Sequence, residues 1–163
     1  MHNDRKITIL GLGNILLEDE GFGVHFVRYI ESRYRFADNV KIVDGGTLGY
    51  RLLDVVCEPD HLILIDAIKL DDEPGSIYRF NREEMELHMP PPTSAHEVEL
   101  LDVLCQADLM GELPEATFLC IVPRSYGSMV LRMTETMKGA FQCMERLLLQ
   151  ELKALGVGWE EVC

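Results

Sequence analysis

The stretch GLGNILLEDEGFG, at residues 11–23, connects a predicted strand to a predicted helix. Residues 6–10 before it form a short apolar run rich in β-branched side chains, which is typical of a strand. After it, large apolar side chains recur at helical spacing, at Phe22, Phe26, Ile30 and Tyr34. Three consecutive acids, at residues 18–20, therefore lie where the strand gives way to the helix.

A nucleotide-binding glycine loop is the first function that this junction suggests, because Gly11 and Gly13 follow a strand and precede a helix. Leu16 stands at the third glycine position of the dinucleotide fingerprint, and the stretch lacks the Lys-Ser/Thr pair of a phosphate-binding P-loop. The acids also occupy the helix start, where they would repel a phosphate. The junction therefore favours a cation over a nucleotide.

Length and composition predict a single α/β domain spanning residues 1–163, with the 47% hydrophobic and 26% charged residues of an ordinary globular protein. No apolar run is long enough to span a membrane, and the N-terminus lacks an export signal. A cytoplasmic protein without a membrane partner is expected. The net charge of -13 makes nucleic acid a poor partner as well, because phosphate binding requires clustered Lys and Arg.

The five cysteines are odd in number and contain no C-x-x-C pair, which predicts reduced thiols and no zinc finger. Three of them fall inside apolar patterns, where a thiol usually packs as a small hydrophobic group: Cys105, Cys120 and Cys143. We therefore expect these three thiols in the core.

Alternating strands and helices organise the rest of the chain. Further strands are predicted at residues 40–43, 61–67, 76–80 and 116–122, the third of them at a sheet edge. Helices are predicted at residues 47–57, from residue 93 or 94, and as one long helix from residue 134. Residues 81–92, which end in three prolines, are predicted to be an extended connection. The pattern indicates a three-layer α/β fold, with a mainly parallel twisted sheet of about five strands and helices on both faces.

Acids follow two of the predicted strands, at Asp44 and Asp66. Because ligands bind outside the carboxyl ends of parallel strands, these acids and the junction at residues 18–20 are expected at one edge. Asp66 ends a fully apolar strand, so its lost hydration must be offset by a metal or by hydrogen bonds such as capped backbone amides. Taken alone, Glu20 is explained as a first-turn acid favoured by the helix dipole, and the shared edge is what makes it a candidate ligand.

A histidine completes a possible metal site at this edge. His96 lies in the first turn of the helix that begins near residue 94, and His88 in the preceding linker is the alternative. Imidazole beside carboxylates favours a transition metal over calcium or magnesium. Two carboxylates and one imidazole leave coordination positions open, as in a functional rather than a structural site.

Several motifs in order now show a family resemblance. They are GLGNILL at residues 11–17, Asp19-Glu20, Gly23-Val24, DGGT at residues 44–47, Asp66-Ala67, Ser94-x-His96 and Val122-Pro123. Over nearly its whole length the chain resembles the hydrogenase maturation proteases, endopeptidases that trim the large subunit of nickel-iron hydrogenases. Ala95 and Glu97 stand where that family usually has proline and glutamine.

The resemblance implies that Glu20, Asp66 and His96 are the metal ligands and that Asp44 takes part in substrate discrimination. It further implies that the nickel is supplied by the substrate, that no organic cofactor is needed, and that the partner is the large-subunit precursor. In such proteins a C-terminal extension is removed after nickel insertion. A monomer is expected.

The mechanism is a hypothesis at this stage: nickel held by these ligands aligns the scissile peptide and polarises its carbonyl or a water, with Asp44 as a base or a positioning group. Two other functions are compatible with the residues. One is a hydrolase with its own bound metal, although the chain has no His-Glu-x-x-His motif. The other is a nickel-binding chaperone without chemistry.

Overall fold

A five-stranded sheet forms the centre of the molecule in a computed structural model, which describes residues 4–46, 48, 51–92, 95–125, 129 and 131–162. The strands are β1 (Ile7–Gly11), β2 (Tyr34–Phe36), β3 (Val40–Asp44), β4 (His61–Ala67), β5 (Ile77–Asn81), β6 (Glu115–Ile121) and β7 (Trp159–Glu161). The helices are α1 (Phe22–Arg33), α2 (Leu52–Cys57), α3 (Arg82–His88), α4 (Ala95–Leu109), α5 (Glu135–Gly139) and α6 (Phe141–Ala154). A 3-10 turn, Glu18–Gly21, precedes α1.

The central sheet has the strand order β3-β1-β4-β6-β5, and only β5, at one edge, is antiparallel. Apolar residues of α1, α5 and α6 pack on one face, and those of α2, α3 and α4 pack on the other. Both faces are covered, so every residue of β1 and β4 is buried. The predicted three-layer α/β fold with a mainly parallel five-stranded sheet is confirmed.

Some predicted elements differ from the observed ones, and one observed pair of strands is not predicted by the sequence. Residues 82–88, expected to be extended, form α3 because Asn81 caps the helix: its side chain accepts a hydrogen bond from the Glu84 N–H at 2.8 Å, and Glu84 accepts from the Asn81 N–H at 3.1 Å. The long helix expected from residue 134 is divided at Ala140 into α5 and α6. The short antiparallel pair β2 and β7 was not predicted.

The helix predicted at residues 47–57 is observed only from Leu52, and its proposed cap, Thr47, lies outside the described residues. Of the three thiols expected in the core, Cys120 is buried but Cys105 and Cys143 are exposed. Each described helix is too short or too polar to cross a bilayer.

Glycines bring the start of α1 into backbone contact with the ends of β1 and β4. A Cβ atom on Gly23 would lie 2.2 Å from the carbonyl oxygen of Ile65 and 2.3 Å from that of Leu12. Gly13 has φ +135, and a Cβ there would lie 1.8 Å from the Glu20 carbonyl oxygen. Since these neighbours are backbone atoms, they cannot move aside as a flexible side chain would.

His61 belongs to a chain of buried hydrogen bonds at the amino ends of β4 and β6. The Thr117 hydroxyl donates to Glu151 at 2.9 Å, so it accepts from the Nε2–H of His61 at 2.9 Å. Arg79 donates to both oxygens of Glu151 at 2.7 Å, and this contact holds the pKa of Glu151 below its ordinary value. Burial and then the charge of Arg5 lower the pKa of His61.

Replacing Gly23 with alanine is expected to destabilise the fold by about 3 kcal/mol or more, because over-packing against backbone atoms cannot be relieved by side-chain motion. Gly139→Ala is the matched control, since a Cβ on Gly139 would meet nothing within 4 Å. Urea unfolding of both variants measures the difference. Equal stability of the two variants would contradict the proposed close approach.

The free energy of unfolding is expected to fall as the pH drops below about 6.5, where histidines of the unfolded chain take up protons. Because burial lowers the pKa of His61 in the folded protein, the unfolded state binds more protons in this range, and stability declines by at most about 1.4 kcal/mol per pH unit for this residue. His61→Gln should lessen the decline in the free energy of unfolding between pH 7 and 5. The part of the decline that comes from His25, whose pKa is also lowered, should remain. Urea unfolding at each pH tests this, and identical slopes for both proteins would contradict it.

Candidate functional site

The carboxyl edge of the sheet collects the acids that end its strands. Gly11, the last residue of β1, pairs with Asp44 of β3 on one side and with Ile65 of β4 on the other. Asp66 follows Ile65 directly and pairs with Cys120 of β6. Asp44 and Asp66 therefore lie at the same edge, two strand spacings apart, or about 10 Å between the strands.

Glu20 reaches this edge from the 3-10 turn, which packs against both β4 and the start of α1. Its side chain is buried, with 6% of the residue exposed. The preceding Glu18 has φ +48, the left-handed backbone region that a residue with a side chain adopts at a cost. Such strain is concentrated at functional sites, which makes this turn a candidate.

Asp66 is almost completely buried, with 1% of the residue exposed. Its Oδ1 accepts a hydrogen bond of 2.8 Å from the Ala67 N–H, which is the amide-capping contact considered from the sequence. Asp66 also lines a small cavity with Glu97 and Leu100 of α4. The first turns of α4 therefore face Asp66.

His96 is the second residue of α4, in the turn that also carries Glu97. The side chain of His96 lies outside the described residues. Among the side chains that are described, no three His, Cys, Asp or Glu are arranged to hold a metal ion. The alternative, His88, is exposed on α3 and stacks on the ring of Phe80 with 5.6 Å between centroids.

Asp19 connects two loops at this edge, a role that the sequence did not reveal. The residue is fully buried. Its carboxylate accepts backbone hydrogen bonds from Arg124 and Ser125 at 3.0 Å and from Thr134 at 2.8 Å, as well as one from the Thr134 hydroxyl at 2.9 Å. With all these donors, the charge of Asp19 is satisfied within the protein, and Asp19 holds the loop after β6 against the acidic turn.

Asp44 makes an ion pair that was also not predicted. Arg28 of α1 donates from Nε and from a terminal nitrogen to Asp44 Oδ2, at 3.0 and 2.7 Å, and the Gly46 N–H donates to Oδ1 at 3.0 Å. His25, one turn before Arg28, lies next to Gly21, and burial and the Arg28 charge lower the pKa of His25. Spacing along α1 shows that residues 25 and 28 share a helix face, but it does not identify Asp44 as their partner.

The arrangement combines three buried carboxylates, of which that of Asp19 is hydrogen-bonded within the protein, with an ion-paired aspartate and the first turn of a helix at one sheet edge. Carboxylate oxygens and imidazole nitrogen are ligands for a divalent transition metal. Such an edge can therefore recognise a cation or polarise a bound group, whereas anions are disfavoured there.

Comparisons with known proteins identify relatives of this chain. The family model for hydrogenase maturation proteases matches residues 24–151, a range that includes Asp44, Asp66 and His96 and begins just after Glu20. The hydrogenase 2 maturation protease of Escherichia coli K12 is 36% identical over 154 residues, which are 93% of each chain. HupD, a hydrogenase expression/formation protein of Rhizobium leguminosarum bv. viciae, is 42% identical over 68% of this chain and 55% of its own length.

The solved structure of the hydrogenase maturating endopeptidase HybD from Escherichia coli superposes with a TM-score of 0.89 at 35% identity, covering 96% of this chain and 97% of that one. Similarity in sequence and similarity in structure thus both extend over nearly the whole length of the chain. The chain belongs to the hydrogenase maturation proteases, and it is a peptidase.

Proposed function

We propose that this peptidase removes the C-terminal extension from the precursor of a nickel-iron hydrogenase large subunit after nickel has been inserted. The observation that carries the proposal is the pair of buried carboxylates, Glu20 and Asp66, at one sheet edge beside the turn that bears His96. The nickel belongs to the substrate. It is what the enzyme recognises before it cuts.

The donor set supports nickel as the recognised ion. Two carboxylates and an imidazole suit a divalent transition metal, and three protein ligands leave positions for the ligands that the precursor itself provides. Glu20 and Asp66 are buried, and a nearby positive charge stabilises a buried carboxylate, so a cation delivered by the precursor would add a favourable interaction. A nickel-free precursor would bring no such cation.

The cleavage itself is hydrolysis of one peptide bond. Water adds to the carbonyl carbon, the C–N bond breaks, and the extension leaves as an amine that has gained a proton. Nickel bound at this edge would polarise the carbonyl or the water as a Lewis acid. The metal would be oriented by Glu20, Asp66 and His96, and the scissile bond with it. Holding the bond in position lowers the entropy cost of reaching the transition state.

Asp44 is better suited to positioning the substrate than to accepting a proton. Both of its oxygens already accept hydrogen bonds, one from Arg28 and the other from the Gly46 backbone. Its side chain remains 32% exposed, so a precursor segment can still reach it. We propose that the Asp44–Arg28 pair selects the substrate next to the metal ligands.

Nickel-loaded precursor is expected to lose its extension, whereas nickel-free precursor stays intact. Glu20→Gln and Asp66→Asn keep the shape of each side chain and remove its charge. Each should slow cleavage by about 100-fold or more, since even indirect supports of metal ligands usually contribute 10- to 100-fold. His96→Ala should do the same. Mass spectrometry of the precursor after a timed incubation measures all three.

Matched controls separate the loss of a ligand from a general loss of charge. Glu18→Gln alters the acid two residues before Glu20, and His88→Ala removes the exposed histidine that stacks on Phe80. Both should retain most of the wild-type rate. Equal cleavage of loaded and nickel-free precursor would contradict recognition through nickel.

Asp44→Asn is expected to lower cleavage of the cognate precursor by about tenfold or more and to weaken discrimination against precursors of other hydrogenases, because the ion pair with Arg28 is lost. Arg28→Gln should reproduce much of the effect, since it frees the same carboxylate. Competition between two nickel-loaded precursors, with both products weighed, gives the selectivity. Unchanged rate and selectivity in Asp44→Asn would remove Asp44 from the site.

A further inference from the structure

A groove between α3 and α4 begins beside the candidate site. Its main cavity measures about 480 Å³, with walls from the two helices and Pro90–Pro92 and a floor that includes Ala116 and Phe118 of β6. The small cavity that contains Asp66 adjoins it, because the same residues line both: Met89, Pro90, Pro92 and Leu101. The two cavities together are called the α3–α4 groove below.

Helix α4 has more apolar surface than the core covers. Its buried face consists of Leu100, Val103 and Ala107. The next face, with Leu101, Leu104 and Cys105, lines the groove instead, and Leu101 and Leu104 are only partly buried. Cys105, predicted from its apolar pattern to be in the core, is exposed at this place. Helix α4 therefore has apolar side chains that the protein core does not fully bury.

The charged residues of the groove are mostly acidic. Among the described residues, the groove is lined by one guanidinium, that of Arg82, and by four carboxylates, those of Asp66, Glu86, Glu97 and Asp108. Arg82 is already paired with Asp108 and lies 3.9 Å from Glu86. An occupant with a positive charge near an apolar side chain fits this lining, whereas an acidic occupant is repelled.

We propose that the α3–α4 groove binds the C-terminal extension of the precursor. The groove holds an apolar side chain of the extension, and a basic residue of the extension lies near that side chain. This inference rests on the proposed function and adds to it the part of the substrate on the leaving side of the scissile bond. The groove starts at Asp66 and continues beneath β6 to Phe118 and Ala116, and β1 and β4 separate that strand from β3, which carries Asp44. A chain cut next to Asp66 would thus have its leaving end in the groove.

Alkylation of Cys105 in the wild-type protein tests the proposal without altering the fold. The probe is N-ethylmaleimide, with the labelling rate at each cysteine followed by peptide mass spectrometry. Cys143 is the internal control, because it is also exposed but lies on α6, which packs on the opposite face of the sheet. The nickel-free precursor with its extension is compared with the same subunit truncated at the cleavage site.

The extended precursor should slow labelling of Cys105 by about fivefold or more at saturation and leave Cys143 unchanged, whereas the truncated subunit should protect neither thiol. It should also bind about tenfold more tightly than the truncated subunit, equivalent to about 1.4 kcal/mol. This gain should shrink with added salt, since part of it comes from charge. Equal protection by both forms, or no gain in affinity from the extension, overturns the proposal.

Leu104→Trp narrows the groove and should reduce the affinity gain by about tenfold, while Leu109→Trp, at an exposed position of the same helix, should not. Cleavage of nickel-loaded precursor by the wild-type protein is measured in parallel. If cleavage occurs and Cys105 is not protected, the groove assignment is wrong and the proposed function stands. If the extension protects Cys105 and no cleavage occurs, the proposed function is wrong and the groove assignment stands.

Discussion

Backbone contact between α1 and the ends of β1 and β4 is the constraint on which the candidate site depends. The contact requires a glycine at position 23, where a Cβ would lie 2.2 Å from a carbonyl oxygen of β4. Because α1 begins so close to the sheet, the turn before it is pressed against the strand ends, and Glu20 in that turn is buried beside them. The glycines of residues 11–23, which resemble a nucleotide-binding loop in the sequence, thus bring the carboxylate of Glu20 to the strand ends.

Asp19 extends this constraint to the other side of the site. Its buried carboxylate holds the loop after β6 through backbone groups of Arg124, Ser125 and Thr134, so the acidic turn and that loop form one unit. The neighbouring acids consequently have different roles. The carboxylate of Asp19 is hydrogen-bonded within the protein, whereas we assign Glu20 to the substrate's metal.

Much of the architecture was predictable because its signals are local. The uninterrupted apolar run of β4 indicated a strand covered on both faces, and the rule for carboxyl ends of parallel strands indicated that Asp44 and Asp66 share an edge. The sequence does not predict helix α3 because the three prolines that follow it disfavour a helix, although Asn81 and Glu84 carry a capping signal. The partners of Asp19 and Asp44 were not predictable, since Asp19 bonds to residues more than a hundred positions away and Asp44 to another element. Asp19 and Asp44 meet these partners only after the strands have taken their order in the sheet.

The central claim is that the protein supplies ligands to nickel that is carried by its substrate. X-ray absorption at the nickel edge, measured on an uncleavable nickel-loaded precursor alone and in complex with this protein, tests that claim most directly. The account predicts that complex formation adds oxygen and nitrogen neighbours at about 2.0–2.2 Å, distances usual for such ligands. It also predicts that Asp66→Asn changes the spectrum of the complex. A nickel spectrum unaltered by binding of the wild-type protein would contradict the account.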